Sequence, residues 1–298
     1  MIKALYDLPA PAKLNLFLHV VGRRADGYHL LQSAFVLIDW HDTLHVERRD
    51  YDSNLARHDL EFVGEPLPAD DLCLRAARAL QRESGTRLGA DISLAKRLPA
   101  GAGLGGGSSD AATTLLALNQ VWDLHWPRQR LMALGLTLGA DIPFFIGGQN
   151  AFVEGIGERL TPIATLVRQW LAVVKPAQGV ATKDVFASPL LVRDTEPVIM
   201  ESFLADASAS QGFGPGSFGR NDLQAPAASQ CAQIAEAAAW LESRFGASRM
   251  TGSGSAVFAG AGTGDQPFGR LPAELPPGWV GRMCRSLLHH PLSGFAAD

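Results

Sequence analysis

The stretch LPAGAGLGGGSSDAATTLLALN, residues 98–119, constrains the fold of this chain more than any other part of it. An alternating segment ends near Arg97, Pro99 follows, glycines stand at 101, 103, 105, 106 and 107, and Ser108, Ser109 and Asp110 open an apolar stretch with helical spacing. A strand that runs through such a loop into a helix presents unpaired backbone N–H groups to an anion, and the helix dipole favours negative charge at that end. Glycines let the backbone come close to phosphate oxygens, and serine hydroxyls add donors. Five glycines in seven positions are more than a turn requires. The plainer reading is a turn followed by a capped helix, since Ser and Asp are ordinary N-cap residues.

The surroundings narrow the type of loop. Gly101, Gly103 and Gly106 satisfy G-x-G-x-x-G, but the preceding DISLAKRLP alternates and ends in charge instead of reading as a buried parallel strand. The loop also lies a third of the way along the chain. Both facts weigh against a dinucleotide-binding fold. No G-K-[S/T] follows, so this is not a Walker loop.

With 298 residues, 47% of them hydrophobic and 19% charged, the chain can bury a substantial core. Its net charge of −4 is mild and spread out, which argues against general binding to nucleic acid or to a membrane surface. Cys73, Cys231 and Cys284 are widely spaced without a C-x-x-C pair, so neither a disulfide framework nor a zinc site is expected, and a reducing cytoplasm fits best. Lys13 and Asn15 break the N-terminal apolar stretch, and no apolar run reaches the ~18 residues of a membrane span. Neither a signal peptide nor a transmembrane helix is expected.

Periodicity predicts a mixed helix and strand chain. In KLNLFLHVV the leucines alternate with Lys13, Asn15, Phe17 and His19, the pattern of a half-buried strand with Lys13 and Asn15 on one face. Further strands are expected over 34–39, 43–48, 91–97, 151–154, 170–175 and 255–259. Helices are expected over 71–84 before Gly85, 109–120 behind a polar cap, 128–138 after Pro127 and 228–245 before Gly246. The Ser, Ala, Gly and Pro-rich stretch 194–220 reads as a partly mobile connection. The second half restarts with its own strands and helices, which puts a domain boundary near residue 155.

The segment PAGAGLGGGSSDAA closely resembles the phosphate loop of the GHMP kinase superfamily. Three further stretches are similar to that superfamily's motifs in the right order: PAKLNLFLHVVGRRADGYHLLQS at 11–33, LTLGADIPFFIGGQNAFVEGIGERLTPI at 136–163 and SRMTGSGSAVFA at 248–259. The longer loop form is most similar to members that act on a cytidine diphosphate-linked methylerythritol. The resemblance implies an α+β fold of two domains: an ATP-binding N-terminal domain (1–155) like the second domain of ribosomal protein S5, and a ferredoxin-like C-terminal α/β sandwich (156–298). It implies ATP with Mg2+, a small-molecule acceptor, no nucleic acid or membrane partner, and a monomer or weak homodimer.

The resemblance also implies roles for particular residues. Asp141, in GADIPFF, matches the presumed catalytic base, and Pro143 is expected to keep the preceding backbone out of helical geometry so that the carboxylate sits at the end of an element. Lys13 matches a lysine that contacts that aspartate or the substrate, and Asn15 a substrate-binding asparagine. Pro99, Ala100, Gly101, Ala102, Gly103, Leu104, Gly105, Gly106, Gly107, Ser108 and Ser109 correspond to the ATP-phosphate loop. Asp71 stands where many relatives have an asparagine near the adenine. Tyr28 and His29 match a cytosine site, the ring stacking on the base and the histidine reading its polar edge, with Phe186 on the other side of the base. Thr182, Gly252 and Ser253 match substrate-site positions, and the TGSGS run closes over the phosphates.

Taken by their residue types alone, these positions also suit a turn aspartate, a strand-mouth lysine, a core aromatic and a tight connection. Two other readings stay open: a GHMP kinase of homoserine or mevalonate type without the cytidine clamp, and a nucleotide-binding protein without turnover. His289 and His290 read as part of a solvated tail, His41 and His45 lack a third ligand, and no residue is assigned to a metal.

Overall fold

A computed structural model describes residues 2–62, 67–209 and 218–298. Two long strands, β1 (Ala4–Arg23) and β2 (His29–Arg49), pair antiparallel across a turn at Asp26 and Gly27. Gly27 has a φ of +92°, and Asp26 Oδ1 accepts the Tyr28 N–H at 3.2 Å, which fixes the turn. They are joined in one sheet by β3 (Leu55–Phe62), β4 (Gly89–Lys96), β5 (Ala151–Gly155) and β6 (Arg159–Pro162), in the order β3-β4-β2-β5-β6 with β1 on β2.

Four helices cover one face of this sheet: α1 (Leu72–Ser84), α2 (Gly106–Val121), α3 (Arg128–Leu136) and α4 (Ile142–Gly147). A second, antiparallel sheet has the order β10-β7-β9-β8, from β7 (Trp170–Lys175), β8 (Arg249–Met250), β9 (Val257–Gly260) and β10 (Val280–Arg285). The remaining helices are α5 (Thr182–Ala187), α6 (Met200–Ala209), α7 (Gln224–Gln230) and α8 (Ala232–Phe245).

Alternation along the strands decides the layers. In β2, Phe35 and Leu37 face the helices α1 to α4, whereas Ala34, Val36 and Ile38 face the second sheet. In β7, Leu171 and Val173 meet that shared core, and Ala172 and Val174 pack under α7 and α8 with Ala227, Ile234 and Leu241. The two sheets therefore share a core, where truncating a leucine such as Leu14 or Leu16 to alanine costs about 2–5 kcal/mol. The first sheet continues through β6 past residue 155, and the chain passes to the second sheet between Pro162 and Trp170.

Several expectations are corrected. β1 is buried on both faces from Ala10 to Val20 instead of half-buried, because the helices cover one face of the sheet and the second sheet the other; loops cover its free edge as well, Lys13 N–H donating to Leu104 O and Leu18 N–H to Arg220 O, both at 2.9 Å. The helix expected over 228–245 is two helices that meet at extended Cys231 (φ −140°, ψ 98°). Within 194–220, α6 forms a helix with Phe203 buried against Phe17, and residues 210–217 lie outside the described residues. The C-terminal tail is packed: Leu292 and Ala296 enter the first core, and Arg128 Nη2 donates to Ser293 O and Ala296 O at 2.6 and 2.7 Å. His290 is accordingly 1% exposed, while its neighbour His289 is exposed.

Candidate active site

The glycine-rich loop joins β4 to α2, and α2 begins at Gly106, three residues earlier than its polar residues suggest. Its N-cap is Gly105 in the left-handed region (φ +73°), without a side-chain cap. The first intrahelical bond is Ser109 N–H to Gly105 O at 2.9 Å, so the N–H groups of Gly106, Gly107 and Ser108 are the unpaired donors of the first turn. Ser109 is thereby taken out of the donor set, since its hydroxyl donates to Pro11 O at 2.7 Å inside the core. Ala102 and Leu104 are also buried, and their carbonyls accept from Ala256 N–H (3.0 Å) and Lys13 N–H (2.9 Å). These two residues anchor the loop, while Pro99, Ala100, Gly101 and Gly107 remain open to solvent in part or fully.

Two of the glycines are there because backbones touch. A Cβ on Gly103 would lie 2.3 Å from Thr251 O, and one on Gly105 would lie 2.9 Å from the Phe145 ring and 3.2 Å from Lys13 Cγ. The loop thus locks into the 251–254 turn from the second half of the chain, where Gly252 in turn faces Gly103. Thr251 Oγ1 accepts the Asn15 N–H at 2.9 Å, which ties the same turn to β1.

β1 delivers the polar residues through a bulge. Asn15 pairs with Phe35 and Leu18 with Ser33, so an extra residue on β1 reshapes the ladder beside Asn15. Lys13 is buried; its ammonium donates to Asn15 Oδ1, lies 4.8 Å from the Phe35 ring centroid and is 4.0 Å from Asp141 Oδ2. Burial pushes the Lys13 pKa below its usual value, and the Asp141 carboxylate pulls it back up. Asn15 Nδ2 donates to Ser33 Oγ at 2.9 Å.

Asp141 is 32% exposed and stands at the N-terminal end of α4. Contrary to the sequence expectation, Ile142 before Pro143 is already helical. The proline lies in the first turn, where its missing N–H has no partner to lose. The carboxylate still sits at the end of an element, for this different reason.

Lys13, Asn15, Ser33, Phe35, Asp141, glycines 101, 103 and 105, Thr182 and residues 252–254 line one cavity of about 300 Å3. A second cavity, of about 610 Å3, shares Leu31, Ile156, Thr182 and Phe186 with it and adds Arg23, Asp26, Tyr28, His29 and Lys183. Thr182 Oγ1 and Ser253 Oγ, 2.7 Å apart, bridge α5 to the 251–254 turn. In the second cavity the His29 ring stacks on Phe186, with centroids 4.9 Å apart at 29°, so one face of Phe186 is already covered by the histidine. Tyr28 is 61% exposed.

A third cavity, of about 260 Å3, lies beside Gly107 and is lined by Asp70, Asp71, Leu72, Arg75 and Asp110. Asp71 caps α1, accepting the Leu74 N–H at 3.0 Å, and its other oxygen is 3.1 Å from Arg57 Nε. The charged end of β4 is buried: Lys96 bridges Asp42 and Asp110. Asp42 Oδ1 also accepts the N–H groups of Arg97 and Leu98 at 2.6 and 2.7 Å, pinning the start of the loop.

Sequence reasoning assigned no role to Ser33 or Phe35, took Thr251 only as part of the TGSGS run, and missed the Asp42, Lys96 and Asp110 cluster under the loop. Each is brought in by strand register or loop docking, for which no local pattern exists. Among the described residues no helix is long and apolar enough to cross a membrane.

Models of the GHMP kinases N-terminal domain and of the GHMP kinases C-terminal domain match residues 71–149 and 203–266. A 4-diphosphocytidyl-2-C-methyl-D-erythritol kinase from Methylibium petroleiphilum is 63% identical over 297 residues, 99% of each chain. A crystal structure of 4-(cytidine 5'-diphospho)-2C-methyl-D-erythritol kinase is similar with a TM-score of 0.72 and 33% identity, over 93% of this chain and 98% of the other. A homoserine kinase from Cytophaga hutchinsonii shares the fold alone, with a TM-score of 0.64 at 14% identity over 97% of this chain and 96% of the other. Sequence over the full length and fold agree with the motifs: the chain belongs to the GHMP kinases and, among them, to the 4-diphosphocytidyl-2-C-methyl-D-erythritol kinase family.

Proposed function

We propose that the protein transfers the γ-phosphoryl group of ATP to the 2-hydroxyl of 4-diphosphocytidyl-2-C-methyl-D-erythritol, giving the 2-phosphate and ADP in the non-mevalonate route to isoprenoid precursors, in the cytoplasm. The observation that carries this reading is the continuity of two cavities. One holds Lys13 and Asp141 against the glycine-rich loop, and the other, reached past Thr182 and Phe186, holds Tyr28 and His29. An alcohol acceptor joined through a diphosphate to a pyrimidine nucleoside has this layout.

ATP supplies the phosphoryl group. The free N–H groups of Gly106, Gly107 and Ser108 and the helix dipole of α2 suit its phosphates. Among the described residues no cluster of three or more His, Cys, Asp or Glu stands ready for a metal ion. Magnesium in this reading comes with the nucleotide and keeps mostly phosphate and water ligands, with the Ser108 hydroxyl a candidate protein ligand. Asp141 accepts the proton of the attacking hydroxyl, Lys13 offsets the charge that develops on that oxygen, and Asn15 orients the acceptor. The cavity wall of Leu31, Val153 and Ile156 keeps water from competing with the alcohol.

The test is ATP consumption with magnesium, comparing the cytidine compound with homoserine, mevalonate and no acceptor. Turnover with the cytidine compound alone supports the proposal. Turnover with another acceptor leaves a kinase and removes the cytidine site, and ATP binding without any turnover removes the kinase reading.

A further inference from the structure

We propose that Arg193 is a positioning residue for nucleotide recognition, holding His29 and Phe186 together as one rigid wall of the larger cavity; this rests on the reading of that cavity as the cytidine site. Arg193 lies in the segment after α5, outside every motif that the sequence displays. Four of its five guanidinium N–H donors are engaged. Nη2 donates to Phe186 O at 2.9 Å and Ser188 O at 3.0 Å, Nη1 donates to Leu191 O at 3.0 Å, and Nε donates to His29 Nε2 at 3.2 Å.

Three backbone carbonyls therefore orient the planar group and leave Nε aimed at the imidazole. That fork cannot be reproduced by an ammonium. The same side chain holds Phe186 by its backbone and His29 by its ring, and the two rings stack at 4.9 Å. Because Nε2 accepts a hydrogen bond, the proton of the neutral ring sits on Nδ1, which leaves a donor of fixed identity for an acceptor atom of a pyrimidine base.

Two guanidinium groups beside the ring act in the same sense. Burial, then Arg193 and Arg23, push the His29 pKa below its usual value. Asp26, Lys183 and Tyr28 line the same cavity. Without Arg193 the ring is free to exchange tautomers, to turn off Phe186 and to take up a proton more easily.

Nitrogen NMR of the unaltered full chain with 15N-labelled histidine comes first, together with CDP as a competitive inhibitor. The expected result is a neutral His29 protonated on Nδ1; protonation on Nε2 overturns the proposal whatever the activity. If CDP fails to compete with the cytidine substrate, the cytidine reading itself falls, a separate outcome from the tautomer. For Arg193→Gln, the KM for the cytidine substrate is expected to rise about tenfold to a hundredfold, with kcat and the KM for ATP changed by no more than about twofold. The His29 pKa should rise in the same variant. Arg193→Lys, which keeps the charge but loses the fork, should resemble the glutamine variant. Equal rises in both KM values, or no rise, would overturn the positioning role. Should Arg193→Gln not fold, the tautomer and Arg193→Lys still decide.

Discussion

Replacing Gly103 by alanine should remove most of the turnover, while the same change at Gly101 should not. Both have positive φ, +74° at 103 and +61° at 101, so each alanine carries a left-handed penalty of about 1–2 kcal/mol. A Cβ at 101 meets nothing within 4 Å. At 103 it would lie 2.3 Å from Thr251 O, 3.1 Å from Thr251 C and 3.2 Å from Gly254 N, all backbone atoms that cannot rotate away. Ordinary contact begins at 3.4 Å, so the phosphate loop and the 251–254 turn must part by about an ångström. A misplacement of that size between reacting groups lowers rates by about 100-fold. The shift also reaches the acceptor side, because Asn15 N–H bonds Thr251 Oγ1. Steady-state kinetics and thermal unfolding of both variants provide the assay. Gly101→Ala is expected to lose stability with near-normal kinetics, and Gly103→Ala to lose about 100-fold in kcat/KM. A Gly103→Ala enzyme whose kcat/KM matches that of Gly101→Ala within about threefold would refute the docking argument.

Asp141→Asn keeps the shape of the site and removes the proton acceptor; kcat is expected to fall by about 100- to 10,000-fold while ATP binding, measured by calorimetry, is unchanged, and near-normal turnover would remove Asp141 as the base. Tyr28→Ala should raise the KM of the cytidine substrate far more than that of ATP, since the ring is exposed and lines the second cavity, whose lining holds no residue of the phosphate loop or of α2; parallel loss of both would point to misfolding. His290 is buried, and burial followed by Arg128 pushes its pKa down to about 4. As pH falls, the unfolded chain takes up this proton first, so the stability contributed by neutral His290 is complete above about pH 6.5 and is lost on the way to about pH 4, roughly 3 kcal/mol in all. Urea midpoints at about pH 7.5 and about pH 4.5 should differ less for His290→Gln than for the unaltered protein, and an identical difference would clear His290.

Local patterns made much of the chain legible. The strand pattern marked β1, β4, β5 and β7 and two pieces, 34–39 and 43–48, that the structure joins into the single strand β2, and Gly85 ends α1 in a left-handed C-cap (φ +69°), as a glycine after a helical run suggests. Short elements without their own periodicity were not legible: β3, β6, α4, α5 and β10 exist because a neighbour pairs with them or a core covers them. The polar run Ser108 to Asp110 misled about the start of α2, because Gly105 caps the helix through its backbone conformation, which side-chain propensity does not encode. The charged end of DISLAKRLP misled as well: it argued against a buried parallel strand, yet β4 pairs parallel with β3 and Lys96 is buried, which only the facing carboxylates of Asp42 and Asp110 make tolerable.

By itself the sequence determined that this chain has a glycine-rich anion loop before a helix, a lysine and an asparagine on one strand face, an aspartate at the edge of an element and the ordered motifs of a GHMP kinase. These are properties of residues near one another in the chain, where backbone freedom and periodicity act directly. The tertiary structure alone decided that Lys13 lies 4.0 Å from Asp141, that Gly103 meets Thr251, and that Arg193 joins His29 to Phe186. Lys13 and Asp141, Gly103 and Thr251, and Arg193 and His29 are each more than a hundred residues apart, and their contacts depend on the β1 bulge, on strand register and on the docking of one loop against another, which only the packing of the whole chain specifies.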